Sequence, residues 1–485
     1  MRKLKVSRLA RGLLLAGVAA LAAGPVLADE LRDALALAYV SNPTLQAARA
    51  QQRATDENVP IARSAGLPSL SGTATYTEFV KTSSNSFTSP SRAFDTQTQL
   101  GVPIYTGGAV KNSVRAAETR VGAGQSDLRG VESGLFSQVV AAYMDVILAQ
   151  EVVKLNRANV QRLDVNLQAS KDRFEIGDLT RTDVAQSQSR LSLARGQVRS
   201  SEANLISARE RYIQVVGKAP VDLQSPPLLA GLPGTAAEAV AIALDHNPDL
   251  LAARQRATAA GYDVRVASAG KLPKISLFAS GGYTDYLGTL GGSVPGNFTQ
   301  KSTTAQAGVR ATVPIFQGGL PAAQRRAAQA REDVVMEQEI GTERAVVANV
   351  RSAFAQWQAA QSLIGSSQTA IDAAALSLEG VRAENTVGNR TILDILNAEN
   401  ELVTAQVQLA TAQRNAYVAG FNLLAAMGKA EARDLGLDGG ALYDPQVNYE
   451  RVRGKIWDWS QDPDPTIEST RTVDTPVQDG SVSPQ

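Results

Sequence analysis

Short stretches of alternating apolar and polar residues predict four strands, arranged along the chain as two pairs. The four segments lie at about 68–80, 94–105, 273–286 and 302–316. In the first of them Leu70 and Tyr76 share one face, whereas Ser71 and Thr75 lie on the other. One apolar and one polar face over about ten residues is typical of a transmembrane β-barrel strand. The same pattern also fits a soluble sandwich with one solvated face.

Apolar residues spaced alternately by four and three positions predict long coiled-coil helices in most of the remaining chain. One such run extends from Leu135 to Phe174 and recurs 211 residues later in the same register. A second begins at Val184 and recurs from Ile395. The stretch 110–174 contains no proline, so a single helix there would be about 95 Å long. A globular domain has little use for that length, whereas a structure that spans the periplasm needs it.

The chain is an internal duplication of one structural plan. The segment "SNPTLQAARAQQRAT" from Ser41 is similar to "HNPDLLAARQRATAA" from His246, and "VPIYTGG" from Val102 is similar to "VPIFQGG" from Val313. We therefore expect two repeats of the same type. The predicted divisions are a signal peptide at 1–28, a first repeat at 29–230, a second repeat at 231–430 and a partly disordered C-terminal extension at 431–485.

The first 28 residues predict export. Basic residues precede an apolar run from Leu13 to Ala23, and small residues precede the expected cleavage point after Ala28. The chain has no cysteine, so we expect no N-terminal lipid anchor.

Composition argues against an enzyme or a nucleic-acid-binding protein. The absence of cysteine excludes thiolate catalysis, and the presence of a single histidine, His246, excludes any multi-histidine metal site. The 48 basic and 47 acidic residues provide no global positive charge for nucleic acid. The sequence also lacks the nucleophile-elbow, P-loop, zinc-protease and dinucleotide-binding motifs. We expect no catalytic residues, no metal and no cofactor.

Proline and glycine mark the passage from each strand pair into a long helix. Proline has no N–H and therefore belongs at a strand margin or edge, and paired glycines allow a sharp change of direction. The predicted strand–helix turns contain Pro103, Gly107, Gly108, Pro314, Gly318 and Gly319.

In its order of motifs the chain resembles the TolC family of outer-membrane efflux and export channels over about residues 31–428. The motifs are the duplicated NP, the LP before a strand, the VPI(Y/F)xGG turns, and the turns "RFEIGDL" and "NTVGNRTILD". The resemblance implies a mixed α and β homotrimer in the outer membrane of a Gram-negative bacterium. Its four strands per chain would form a twelve-stranded β-barrel, continued by a long α-helical coiled-coil tunnel in the periplasm. The strands independently require an oligomer, because four cannot close a transmembrane barrel.

The resemblance also implies the function of a conduit. The channel would carry substrates from an inner-membrane ABC or proton-driven pump, dock a periplasmic adaptor protein, and open by untwisting of its periplasmic helix tips. Type I protein secretion and multidrug efflux are the expected routes, and the missing lipid-anchor cysteine favours the branch that includes secretion. The alternative is a trimeric coiled-coil surface adhesin or scaffold without a conducting pore, which would not need the paired strands.

The expected site residues come from the resemblance, position by position. The adaptor-docking tips would contain Ile176, Gly177, Asp178, Leu179, Thr180, Val387 and Gly388. The periplasmic gate would contain Thr182, Asp183, Asn385 and Arg390, with an Arg390–Asp183 ion pair as its latch. Asn385 stands where the family usually has tyrosine, which weakens the expected latch.

The pore constriction is expected at Asp394 and Asn397. The family often has two aspartates at these positions, so three chains would supply one ring of carboxylates instead of two. Acidic rings favour cations by their field, and we therefore expect a weaker cation preference than in a two-ring relative.

Overall fold

The computed structural model describes residues 30–81, 89–291, 296–437 and 442–482. The predicted signal peptide at 1–28 lies outside the described residues. The first half contains α1 (Leu31–Ser41), α2 (Pro43–Asp56), α3 (Asn58–Ser64), β1 (Ser69–Glu78), β2 (Arg92–Tyr105), α4 (Ala109–Glu175) and α5 (Arg181–Val216). The second contains α6 (Ala236–His246), α7 (Pro248–Ser268), a 3-10 turn (Ala269–Lys271), β3 (Lys274–Asp285), β4 (Lys301–Thr312), α8 (Leu320–Thr386) and α9 (Ile392–Ala426). A further helix, α10 (Pro445–Val452), follows the second half.

The four strands form one antiparallel sheet in the order β1-β2-β3-β4. Pro103 lies in β2 at a register shift between Pro103 and Tyr105, where a residue without an N–H is tolerated. β4 ends at Thr312, not at 316 as predicted. Thr312 pairs with Lys274, the first residue of β3, so Pro314 lies beyond the last available partner.

Paired glycines redirect the chain from the sheet into each long helix. Gly107 and Gly108 have φ of 67° and 81°, and Gly318 and Gly319 have φ of 59° and 83°. These are left-handed values that glycine adopts at low cost. A Cβ on Gly107 would also approach the Leu272 Cβ to 2.9 Å. The first turn therefore packs closely against the start of the second strand pair.

The duplicated Asn-Pro dipeptides join helices end to end. Asn42 Oδ1 accepts a hydrogen bond from the Thr44 N–H at 2.9 Å, and its Nδ2 donates to the Val215 carbonyl, in the last turn of α5, at 2.9 Å. Asn247 likewise caps α7, and its Nδ2 donates to the Ala426 carbonyl, at the end of α9, at 2.9 Å. One side chain thus satisfies the N-terminus of one helix and the C-terminus of another. The N-terminus of α2 thus meets the C-terminus of α5, and the N-terminus of α7 meets the C-terminus of α9.

The main apolar core lies midway along the long helices. There Phe136, Val139 and Tyr143 of α4 pack with Tyr212 of α5 and Phe421 of α9. A smaller cluster lies nearer the turn between α4 and α5 and contains Leu163, Leu167, Leu191, Ala194 and Leu396. It is the cluster that borders the candidate site.

Candidate functional site

The predicted docking tips are two turns with the same backbone. Gly177 has φ of 84° and Gly388 has φ of 81°. Each ends its helix with the same pair of backbone bonds, for example Gly177 N to Phe174 O at 3.0 Å and Asp178 N to Arg173 O at 2.9 Å. These bonds define a Schellman motif, which satisfies the last carbonyls of a helix.

Each following helix begins with the same capping box. Thr180 Oγ1 accepts from the Asp183 N–H, and Asp183 Oδ2 accepts from the Thr180 N–H at 2.9 Å. Thr391 and Asp394 repeat this arrangement, also with 2.9 Å between Thr391 N and Asp394 Oδ2. A Schellman motif followed at once by a capping box leaves only five residues between the two helices, 176–180 in the first turn and 387–391 in the second.

The charged residue in the loop has opposite sign at the two turns. At the first turn, Arg173 at the end of α4 pairs with Asp178 in the loop, with 2.6 Å between Nε and Oδ2. At the second, Glu384 at the end of α8 pairs with Arg390 in the loop, with 2.6 Å between Oε2 and Nε. The same backbone therefore presents a loop anion at one tip and a loop cation at the other.

The predicted docking residues lie at the surface of the tips. Ile176 is 80% exposed and Val387, at the equivalent position of the second repeat, is 70% exposed. Leu179 is half-buried. The remaining members, Gly177, Asp178, Thr180 and Gly388, are exposed. The first turn and its equivalent each carry one large exposed aliphatic side chain.

The predicted latch residues are not brought together within one chain. Among the described residues, the ion-pair partner of Arg390 is Glu384, which raises the pKa of the guanidinium. The carboxylate of Asp183 instead accepts from Thr180, whose hydrogen bonds lower the pKa of Asp183. Asn385 Nδ2 donates to the Arg390 carbonyl at 2.7 Å.

The fourth predicted latch residue, Thr182, is exposed in the first turn of α5. Within the single chain, Asp183, Asn385 and Arg390 thus bond inside their own turns.

The two predicted constriction residues have different surroundings. Asp394 closes the capping box of α9, and hydrogen bonds from Thr391 lower the pKa of its carboxyl. It is the repeat equivalent of Asp183, so these two acids share one structural task. Asn397 is exposed, and its Oδ1 accepts from Arg190 Nη2 of α5 at 2.7 Å.

Sequence reasoning missed a buried carboxylate on α9. Glu399 has a side chain only 1% exposed and pairs with Arg382 Nη2 at 2.6 Å. It lies on the same face of α9 as the buried Leu396 and Val403. The sequence does contain a signal for it, because Glu399 is a single acid among apolar residues that alternate at spacings of four and three positions along α9.

The chain has known relatives over most of its length. A model of the outer membrane efflux protein family matches residues 34–218 and 239–429. The outer membrane efflux protein BepC of Brucella suis is 35% identical over 443 residues, which cover 90% of this chain and 93% of BepC. The outer membrane protein TolC of Escherichia coli is 28% identical over 88% of this chain and 87% of TolC.

A solved structure has the same fold. The Campylobacter jejuni CmeC outer membrane channel superimposes with a TM-score of 0.70 at 19% sequence identity, covering 87% of this chain and 89% of CmeC. The predicted family and fold class are therefore confirmed. The chain belongs to the outer membrane efflux protein family of TolC-like channels, which are transport proteins and not enzymes.

Proposed function

We propose that three copies of this chain form a channel-tunnel that receives substrates from an inner-membrane pump and releases them across the outer membrane. The observation that carries this proposal is the connection of one four-stranded sheet to two helices of 67 residues each. A straight helix of that length extends about 100 Å. Both helices end in exposed turns far along the chain from the sheet.

The edges of the sheet support the trimer. Within the described residues, β1 pairs with β2 alone and β4 with β3 alone. Both strands are exposed along almost their whole length in the single chain. In lipid, every backbone N–H and carbonyl needs a partner, so an open edge is costly. Pairing β4 of one copy with β1 of the next, three times, closes a barrel of twelve strands.

The exposed tips support docking of a periplasmic adaptor protein. Ile176 and Val387 place an aliphatic side chain at equivalent points of the two turns. Three copies would bring six such side chains to one end of the proposed trimer, and contiguous exposed apolar surface marks a protein contact. The proposed opening is a separation of the helical hairpins at these tips, as the resemblance implies. Cargo would then be selected by the pump, and the proposal keeps both type I protein secretion and multidrug efflux as routes, since the relatives include proteins named for efflux and for protease secretion.

The test is to extract the protein from outer membranes and record its behaviour in a planar lipid bilayer. We expect a trimer in unheated gel electrophoresis, a monomer after heating, and discrete conductance steps. A soluble monomer that produces no conductance would contradict the proposal and favour the adhesin or scaffold.

A further inference from the structure

Glu399 is a buried acid whose two oxygens bind two different hairpins. Oε1 accepts from Arg382 Nη2 of α8 at 2.6 Å, within its own hairpin. Oε2 accepts from Asn166 Nδ2 of α4 at 2.8 Å, in the other hairpin. A carboxylate that is only 1% exposed needs both an opposite charge and hydrogen bonds to offset its lost hydration. Its stable burial therefore depends on both hairpins at once.

The neighbouring residues of α9 strengthen the same contact. Leu396, 1% exposed, inserts among Leu163, Leu167 and Leu191 of the α4–α5 hairpin. Asn397 follows it directly and accepts from Arg190 of α5, as described above. One turn of α9 thus provides an apolar contact and two polar contacts to the other hairpin.

The ion pairs of the turns themselves do not join the hairpins. Arg173 binds Asp178 within the first turn, and Arg390 binds Glu384 within the second. The four side chains of these pairs are between 37% and 53% exposed. Ion pairs this exposed to solvent contribute little to stability. Farther from the turns, the main core and the Arg414–Asp145 ion pair also join α9 to α4. The connection between hairpins next to the turns lies in the adjoining part of α9, at Leu396–Glu399.

The first repeat has no equivalent of this cluster. At the 211-residue offset, Glu399 corresponds to Gln188 and Arg382 to Lys171. Both of these side chains are exposed. The duplication therefore diverges at the position where the second hairpin contacts the first.

We infer that Glu399 is a positioning residue of the gate, which ties the two hairpins of each subunit together through Asn166 and thereby restrains their separation. The inference rests on the proposed function, because it assumes that separation of the hairpins opens the tunnel. Separation would break the bond to Asn166 and expose the carboxylate while its pair with Arg382 persists. Within one subunit, the direct gate contact is then Asn166–Glu399.

The test compares Asn166→Ala and Glu399→Gln with Gln188→Ala in bilayer recordings of the purified channel. Losing a hydrogen bond to a charged group shifts an equilibrium about tenfold or more, so we expect Asn166→Ala to raise the open-state population about tenfold. Glu399→Gln keeps an oxygen that can accept from Asn166 but removes the charge, so we expect a smaller increase. Gln188→Ala should match the wild type. An unchanged open-state population in a trimeric Asn166→Ala channel would overturn the inference, even if Glu399→Gln fails to fold.

A cross-link provides the complementary test. The chain has no cysteine, so cysteines introduced together at Asn166 and Glu399 are the only targets for a short bis-maleimide. We expect cross-linked channels to open about tenfold less often than the same variant before reaction. Equal opening before and after reaction would refute the restraint. A wild-type channel that forms no pore at all would instead refute the proposed function.

Discussion

The turn between α4 and α5 and the turn between α8 and α9 share one backbone but differ in the charge that each loop carries. Gly177 and Gly388 adopt the same left-handed conformation, and Thr180 and Thr391 cap the next helix in the same way. The backbone depends on a glycine and a Thr-x-x-Asp motif, so the remaining positions were free to diverge. Asp178 is the charged loop residue of one turn, and Arg390 that of the other.

A duplicated chain can thus present two different surfaces on one backbone. In the proposed trimer, six turns would alternate between the two types. A partner that recognises the backbone and the exposed Ile176 or Val387 would bind every turn. A partner that recognises charge would distinguish Asp178 from Arg390.

The largest expected effect on stability comes from the asparagines that both repeats retain. Asn42→Ala or Asn247→Ala removes a helix cap and the hydrogen bond to the C-terminus of the adjoining helix, α5 or α9. We expect each to lower stability by about 2 kcal/mol. Thermal melting of the detergent-solubilised channel measures the loss, with Asn389→Ala at the exposed tip as control. Equal melting temperatures for all three variants would show that the junctions contribute nothing.

The turn glycines should show a smaller and equal effect. Gly177→Ala or Gly388→Ala places a Cβ on a left-handed residue, although no atom lies within 4 Å of that Cβ. The substitution then lowers the stability of the turn only by the cost of the left-handed backbone conformation, about 1 kcal/mol. Hydrogen exchange of peptides that cover each turn measures it. Gly196→Ala, inside α5 and equally free of neighbours, should slow exchange instead, and faster exchange there would contradict this reasoning.

Variants of the two capping-box acids distinguish an effect on turn structure from an effect on ion selectivity. Asp183→Ala and Asp394→Ala should loosen their turns equally, but only Asp394→Ala should nearly abolish cation preference, because Asp394 is expected at the constriction. Reversal potentials in a salt gradient measure this difference. Matching potentials for the two variants, or an unaltered potential for Asp394→Ala, would remove Asp394 from the pore.

Lowering the pH tests the same two carboxyl groups without mutation. Hydrogen bonds from the cap threonines lower the pKa of both carboxyls. Their contribution to turn stability is therefore present above the ordinary carboxyl pKa of about 4 and is lost as pH falls below it. We expect cation preference to persist at pH 4 and to disappear only at lower pH. Loss of preference already between pH 6 and 5 would indicate a different titrating group.

The smallest effect is expected for the exposed ion pair of the second turn. Arg390→Ala and Glu384→Ala should leave the melting temperature unchanged within error, because both side chains are about half exposed. If Arg390 is instead the latch to Asp183 of another subunit, Arg390→Ala will raise conductance whereas Glu384→Ala will not. The pair of variants therefore distinguishes a local contact from an intersubunit one.

The sequence predicted the repeating elements better than the side-chain contacts. The helix expected over 110–174 occupies Ala109–Glu175, because heptad spacing and the absence of proline are local signals. The end of β4 was missed because it depends on where its neighbour β3 begins. The ion pair of Arg390 with Glu384 was not predicted, because Glu384 lies within reach only once the turn has formed. Glu399 was visible as an acid on an apolar stripe, but its partner Asn166 lies in the other hairpin, and no local pattern identifies such a contact.

The most direct test of the account places a photo-crosslinking residue at Ile176, and separately at Val387, in living cells. Leu228, 95% exposed in the connection between α5 and α6, is the control position. The account predicts that both tip positions capture a periplasmic adaptor and that Leu228 does not. Capture of no adaptor at either tip, with the protein correctly assembled in the outer membrane, would contradict the docking of a pump at these turns.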